Sequence, residues 1–227
     1  MQFKKVTHVI FDLDGLLIDS EKLYTEAFET VCSKYGKIFT WEIKASLLGF
    51  QGYECADKII KELNLPLTRE EFMTECQTIY ERVFKNVELM PGAQKLVEHL
   101  YRKGVPIALA TSSSQDSVDM KMQNHKSFLN YFHHCIMGSS DPDVTKGKPD
   151  PAIFIVCASR FPDKPAHENC LVFEDAINGV KAACAANMQV VAVPDPRIDR
   201  EQLKNATLVL NSLEEFQPEL FGLPNYD

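Results

Sequence analysis

The stretch His8-Val9-Ile10-Phe11-Asp12-Leu13-Asp14-Gly15 decides the fold. Val9, Ile10 and Phe11 form a short, continuous apolar run, the pattern of a strand buried on both faces of a parallel sheet. Asp12 ends the run, which predicts a carboxylate at the carboxyl edge of the sheet, where open α/β folds bind ligands. Gly15 permits a tight turn, and the turn is expected to bring Asp14 back towards the same point. Two carboxylates held that close repel each other, and a bound cation lets both stay ionised at neutral pH.

Outward from this stretch, no strand pattern appears between Ser20 and Phe84. Leu23, Tyr24, Ala27, Phe28, Val31 and Cys32 recur at helical spacing, with Gly36 placed to stop the helix. Thr40 is expected to cap a second helix running to Leu48, and Gly49 and Gly52 bracket a short loop before a third, Tyr53 to Leu63. Thr68 and Glu71 form a capping box for a fourth, which carries Phe72, Cys76, Ile79, Tyr80 and Val83 on one face. After Met90-Pro91-Gly92 the pattern becomes alternating helix and strand. Strands are expected at Val105–Ala110, Cys135–Met137, Cys170–Asp175, Gln189–Val193 and Thr207–Leu210. Helices are expected over Ala93–Tyr101, Asp150–Ala158 and Ala176–Ala186. Such alternation predicts an α/β fold, a doubly wound parallel, Rossmann-like core sheet with right-handed crossovers. The core spans 1–18 and 88–227, and 19–87 is an inserted all-helical domain. The Pro-rich tail after Phe216 is expected to lie across the surface.

Composition narrows the function classes. A chain of 227 residues with net charge −8 and scattered Lys and Arg repels nucleic acid and anionic membrane. No apolar run has membrane-spanning length, and the start of the chain carries no signal-like region, so a cytoplasmic protein is expected. No coiled-coil heptad appears, and a monomer is expected. The seven Cys residues are odd in number and contain no Cys-x-x-Cys pair, which argues against a disulfide framework and a zinc site. His133 and His134 are read as strand neighbours on opposite faces, not as a metal pair.

The polar residues left over gather at strand ends: Asp12 and Asp14 after the first strand, Thr111 after the second, Lys148 in Gly147-Lys148-Pro149-Asp150-Pro151, and Glu174-Asp175 after the fourth. Four carboxylates round one point call for a divalent cation, and hard oxygen donors without Cys or His favour Mg²⁺. Lys148 adds a fixed positive charge, and the amides after Thr111 can hold an anion. Together these features predict a phosphate ligand.

This set of residues resembles the haloacid dehalogenase superfamily, whose pattern of Asp-x-Asp-Gly after a strand, a Thr or Ser after the next, a Lys and a late acidic pair is matched throughout. The helical block stands where one branch of that superfamily inserts its cap. The resemblance implies that Asp12 is the nucleophile forming an aspartyl-phosphate and Asp14 the general acid and base. It also implies that Thr111, Ser112 and Lys148 bind the phosphate, and that Asp12, Asp14 and Asp175 hold Mg²⁺, with Glu174 ligating directly or from behind. Within the branch, Phe11–Ser20, Ala110–Ser113, Gly147–Pro151, Leu171–Ala176 and the tail Leu208–Leu223 look closest to the enzymes that hydrolyse pseudouridine 5′-phosphate. Tyr24, Gln51 and Tyr53 are then candidate walls for the leaving group.

Alternatives remain. They are a phosphatase of another small sugar or polyol phosphate, a β-phosphoglucomutase-like phosphomutase, and a non-catalytic binding protein of the same fold. Mutases of this kind carry a His where this chain has Tyr24 and an Arg in the cap loop, where Phe50-Gln51-Gly52-Tyr53 has none. A second substrate phosphate would therefore lack its charge partner. A dehalogenase of the same fold would need neither Asp14 nor the late acidic pair.

Overall fold

The computed structural model describes residues 3–47, 50 and 52–227. Leu48, Gly49 and Gln51, named above, lie outside the described residues. Six strands, β1 (His8–Phe11), β2 (Ile107–Thr111), β3 (Cys135–Met137), β4 (Cys170–Glu174), β5 (Gln189–Ala192) and β6 (Leu208–Val209), form one sheet in the order β3-β2-β1-β4-β5-β6. Every pairing is parallel, with Ile10 of β1 opposite Ala108 on one side and Val172 on the other. The chain reverses its direction of travel about β1, so the carboxyl ends of β1 and β4 flank the crevice where such sheets bind ligands.

All residues of β1, β2 and β4 are buried, because helices cover both faces of the sheet. Alternation along the strands divides the core. Val9, Phe11, Leu109, Leu171 and Phe173 enter one apolar cluster with Leu96, Val97 and Leu100 of helix α5 (Ala93–Arg102). Ile10, Ala108, Ala110 and Val172 enter the other, with Ile153, Phe154 and Cys157 of α7 (Ala152–Ser159) and Val180 and Ala183 of α8 (Ile177–Ala185). Asp150 Oδ1 accepts from the Ala152 amide at 3.0 Å, so it caps α7 from just outside the helix.

Between Ser20 and Asn86 the described residues form helices only: α1 (Glu21–Lys34), α2 (Trp41–Ala45), α3 (Gly52–Leu63), α4 (Arg69–Val83) and a 3₁₀ turn, Phe84–Asn86. Phe28 of α1 packs against Phe39 and against Phe72 of α4, with ring centroids 5.5 and 6.0 Å apart. Glu75 accepts from Lys34 Nζ at 2.7 Å and from Tyr35 Oη at 2.5 Å. The Thr68–Glu71 capping box is present at the start of α4. Both passages between sheet and helices run together, tied by Asp19 N to Glu88 O and Met90 N to Leu17 O, each 2.9 Å.

Four local expectations are corrected. β2 begins at Ile107, not Val105; Pro106 lacks an amide but offers its carbonyl to Val9 N at 3.1 Å. α2 ends at Ala45, and Ser46–Leu47 turn. His133 and His134 lie in the loop before β3, so their rings meet, Nδ1 to Nδ1 at 2.9 Å, while His134 Nε2 donates to Cys157 O. The tail is not superficial: Phe216, Pro218, Phe221 and Leu223 are buried, Phe221 stacks on Phe216 and meets Phe3, and its carbonyl accepts from Val6 N at 2.9 Å. Aromatic spacing, not the prolines, governs that segment. Among the described residues no helix is long and apolar enough to cross a membrane, and all seven cysteines are free thiols.

The buried tail generates a prediction. Phe221→Ala should cost about 3–5 kcal/mol by urea unfolding, because a fully enclosed ring is lost and its cavity cannot refill. A change under about 1 kcal/mol would return the tail to the surface.

Candidate active site

Asp12 leaves the sheet immediately after β1, its amide donating to Phe173 O at 3.0 Å, and its carboxylate is buried. Lys148 reaches it from the loop before α7. Lys148 Nζ donates to Asp12 Oδ1 at 2.6 Å, Glu174 Oε1 at 2.5 Å and Ala110 O at 3.3 Å, so one ammonium joins β1, β2 and β4. The other oxygen of Glu174 accepts from the amides of Asp175 and Ala176, at 3.1 and 3.3 Å.

Asp12, Glu174 and Asp175 can bring one oxygen each within 4.8 Å of one another. Three carboxylates meet one ammonium, so the cluster carries net negative charge under cover only when its acids are all ionised. Burial, opposed by Lys148 and reinforced by Glu174 and Asp14, pushes the Asp12 carboxyl up to about 7. Burial also pushes Asp175 well above its ordinary value, with Glu174 and Asp12 adding to it. The donor set of hard oxygens, with uncompensated charge and neither nitrogen nor sulfur, fits a Mg²⁺-like cation.

Two glycines make the cluster possible. A Cβ on Gly179, in the first turn of α8, would overlap the Glu174 carboxyl. Gly179 therefore makes room for an acid. Gly15, at φ +77°, turns the chain across Asp175, and a Cβ there would strike that carboxylate.

Asp14 lies apart from this cluster. Its Oδ1 accepts from Ser20 Oγ at 2.6 Å and Lys121 Nζ at 2.7 Å; its Oδ2 accepts from Lys121 Nζ at 2.6 Å and Ser113 Oγ at 2.8 Å, with Thr111 Oγ1 farther off at 3.4 Å. Burial works against its ionisation, but the Lys121 charge and the bonds from Lys121, Ser20 and Ser113 outweigh burial and hold the carboxyl below its usual range. Its carboxylate is not brought to the three acids that could hold a cation.

Thr111 closes β2 and accepts from Ser113 N at 3.1 Å; Ser112 O accepts from Ser139 Oγ at 2.7 Å. Both face the same cavity as Asp12, Asp14 and Lys148, a space of about 540 Å³ shared by the sheet edge and the helical insertion. On the insertion side Tyr24 meets Tyr80 and Phe84 edge-on, at 5.3 and 5.0 Å between centroids. Tyr53 lines the cavity at the start of α3 and is 47% exposed. Gln51 lies outside the described residues.

Sequence reading missed Lys121, Ser20 and Ser113. The signal for Lys121 was present: it follows Val118 by three residues in α6 (Gln115–Lys121), which places a charge on the buried face. Also missed was the buried Lys44, whose Nζ donates to Thr25 Oγ1 at 2.6 Å and Glu21 O at 3.0 Å on the cavity wall.

The chain is similar to known proteins in sequence and in fold. The model of the family described as haloacid dehalogenase-like hydrolase matches residues 9–193. A probable pseudouridine-5′-phosphatase of Drosophila melanogaster is 47% identical over 98% of this chain and 96% of its own length. (DL)-glycerol-3-phosphatase 2 of Arabidopsis thaliana is 42% identical over 98% of this chain and 93% of its own. Among solved structures, a putative β-phosphoglucomutase from Thermotoga maritima superposes with a TM-score of 0.72 at 28% identity, covering 95% of this chain and 97% of its own.

The acid cluster predicts how stability depends on pH. The Asp12 carboxyl holds its proton more tightly folded, near 7, than unfolded, near 3.8, so metal-free protein should lose stability as pH rises between those values. A divalent cation binds the ionised cluster. Added Mg²⁺ should therefore raise the melting temperature clearly at pH 7.5 and little at pH 5. Equal shifts at both pH values would contradict the cluster as a cation site.

Proposed function

The chain belongs to the haloacid dehalogenase-like hydrolases and is a phosphatase, and we propose that it hydrolyses pseudouridine 5′-phosphate with Mg²⁺ through an aspartyl-phosphate on Asp12. One observation carries the reading: a buried carboxylate at the switch point of the sheet is held by Lys148 and opens, beside Glu174 and Asp175, into a cavity shared with the insertion.

In this reading Asp12, Glu174 and Asp175 hold Mg²⁺. Bound there, the ion supplies positive charge against the phosphoryl oxygens. Thr111, Ser112 and Lys148 take the remaining oxygens, and Lys148 keeps the Asp12 carboxylate from rotating. The bond from phosphorus to the substrate oxygen breaks as the bond from Asp12 to phosphorus forms. The leaving oxygen takes a proton through Asp14. Asp14 is ionised in the resting site, so that proton arrives with the substrate, whose phosphate has a second ionisation near pH ~6 and enters in part as the monoanion. Water then attacks the aspartyl-phosphate, Asp14 takes the water's proton and passes it to the departing phosphate, and Asp12 is regenerated.

The leaving group is argued from the cavity and from the relatives. At about 540 Å³ with Tyr24, Phe28, Tyr53, Tyr80 and Phe84 on the insertion side, the cavity suits a ribosyl base better than glycerol, which would leave most of it unfilled. The mutase alternative is disfavoured because no Arg stands in Phe50–Tyr53 and Tyr24 occupies the place of the His.

Two measurements test the reading. Asp12→Asn should lower kcat by at least about 10⁴-fold with the fold intact, and residual activity within tenfold would rule out the covalent route. In a rate comparison of pseudouridine 5′-phosphate, uridine 5′-phosphate and glycerol 3-phosphate, the first should have the highest kcat/KM. A preference for glycerol 3-phosphate would leave the phosphatase standing and remove this substrate.

A further inference from the structure

Lys121 is fully enclosed, with no exposed side-chain surface, and it does not line the cavity. Its ammonium spends its donors on both oxygens of Asp14, on Ser113 Oγ at 2.7 Å and on Tyr24 Oη at 3.3 Å. A buried ion pair of this kind is weak evidence for stability, since apolar groups of the same shape often serve as well. Its position is the informative part. Asp14 stands two residues from Asp12, and a cation in the Asp12–Glu174–Asp175 cluster attracts any free carboxylate within reach. Lys121, Ser20 and Ser113 compete for it with charge-assisted bonds to both oxygens.

We propose that Lys121 is a positioning residue that holds the Asp14 carboxylate out of the acid cluster and on the side of the insertion, where the leaving group lies. Through Tyr24 the same ammonium ties that carboxylate to α1, so the group that handles the leaving-group proton is registered against the wall that receives the leaving group. The inference rests on the assignment of Asp14 proposed above.

The test uses leaving groups that differ in their need for a proton. An alkoxide must be protonated as it departs, whereas p-nitrophenolate leaves without help. Lys121→Met keeps the length of the side chain and removes its charge. With a nucleoside 5′-phosphate its first-turnover rate should fall by about 10²-fold or more, the usual scale for a lost proton-transfer group. With p-nitrophenyl phosphate the first turnover should change less than tenfold, and slow hydrolysis of the phosphoenzyme should appear as a burst of p-nitrophenol. Equal losses on both substrates would make Lys121 merely structural and overturn the proposal.

Asp14→Asn is run alongside. A split between substrates for Asp14→Asn but not for Lys121→Met defeats the Lys121 inference alone, and no split for either defeats the assignment of Asp14 itself. If circular dichroism shows Lys121→Met unfolded, Lys121→Gln is read by the same criterion. Loss of fold in both variants also overturns the proposal.

Discussion

The site depends on one buried ammonium. Lys148 Nζ lies 2.6 Å from Asp12 and 2.5 Å from Glu174, side chains that leave neighbouring parallel strands at the same level. Without it two carboxylates would face each other under cover with no positive charge between them. With it Asp12 is fixed in direction, and Glu174 is bound on its other oxygen by the start of the β4–α8 connection. One ammonium cannot balance three ionised carboxylates, and a divalent cation would supply the charge that lets them ionise together.

A second ammonium makes a different choice possible for the second acid. Lys121 is as deeply buried as Lys148, yet it holds a single carboxylate, Asp14, and does so from α6, the helix that follows Thr111 in the chain. Two acids only two residues apart therefore sit in opposite electrostatic settings. Burial raises Asp12, while donors on every side lower Asp14. Such a division of environments is how neighbouring carboxylates come to serve distinct steps in acid–base chemistry.

Much of this was legible in the chain. Continuous apolar runs ending in Asp12, Thr111 and Glu174 identified the central strands and placed their polar ends on one edge, because a strand buried on both faces has no other pattern. What escaped reading were side-chain contacts that no local pattern announces. The spacing of Lys121 from Val118 puts it on the buried face of α6 but does not name Asp14 as its partner, and a glycine at 179 does not show that Glu174 fills the space it leaves. The expected convergence of Asp14 on Asp12 assumed that a turn sets side-chain direction. Ser20, six residues on, together with Ser113 and Lys121 from after β2, sets it instead. The tail was misread because proline was weighed above Phe216 and Phe221.

The central claim is that phosphoryl transfer passes through Asp12 in two displacements, and stereochemistry at phosphorus reports on this without requiring the intermediate to accumulate. A phosphorothioate monoester made chiral with oxygen isotopes, hydrolysed in isotopic water, should give thiophosphate with retained configuration, since two in-line steps each invert. Inverted configuration would mean direct attack of water and would contradict the account.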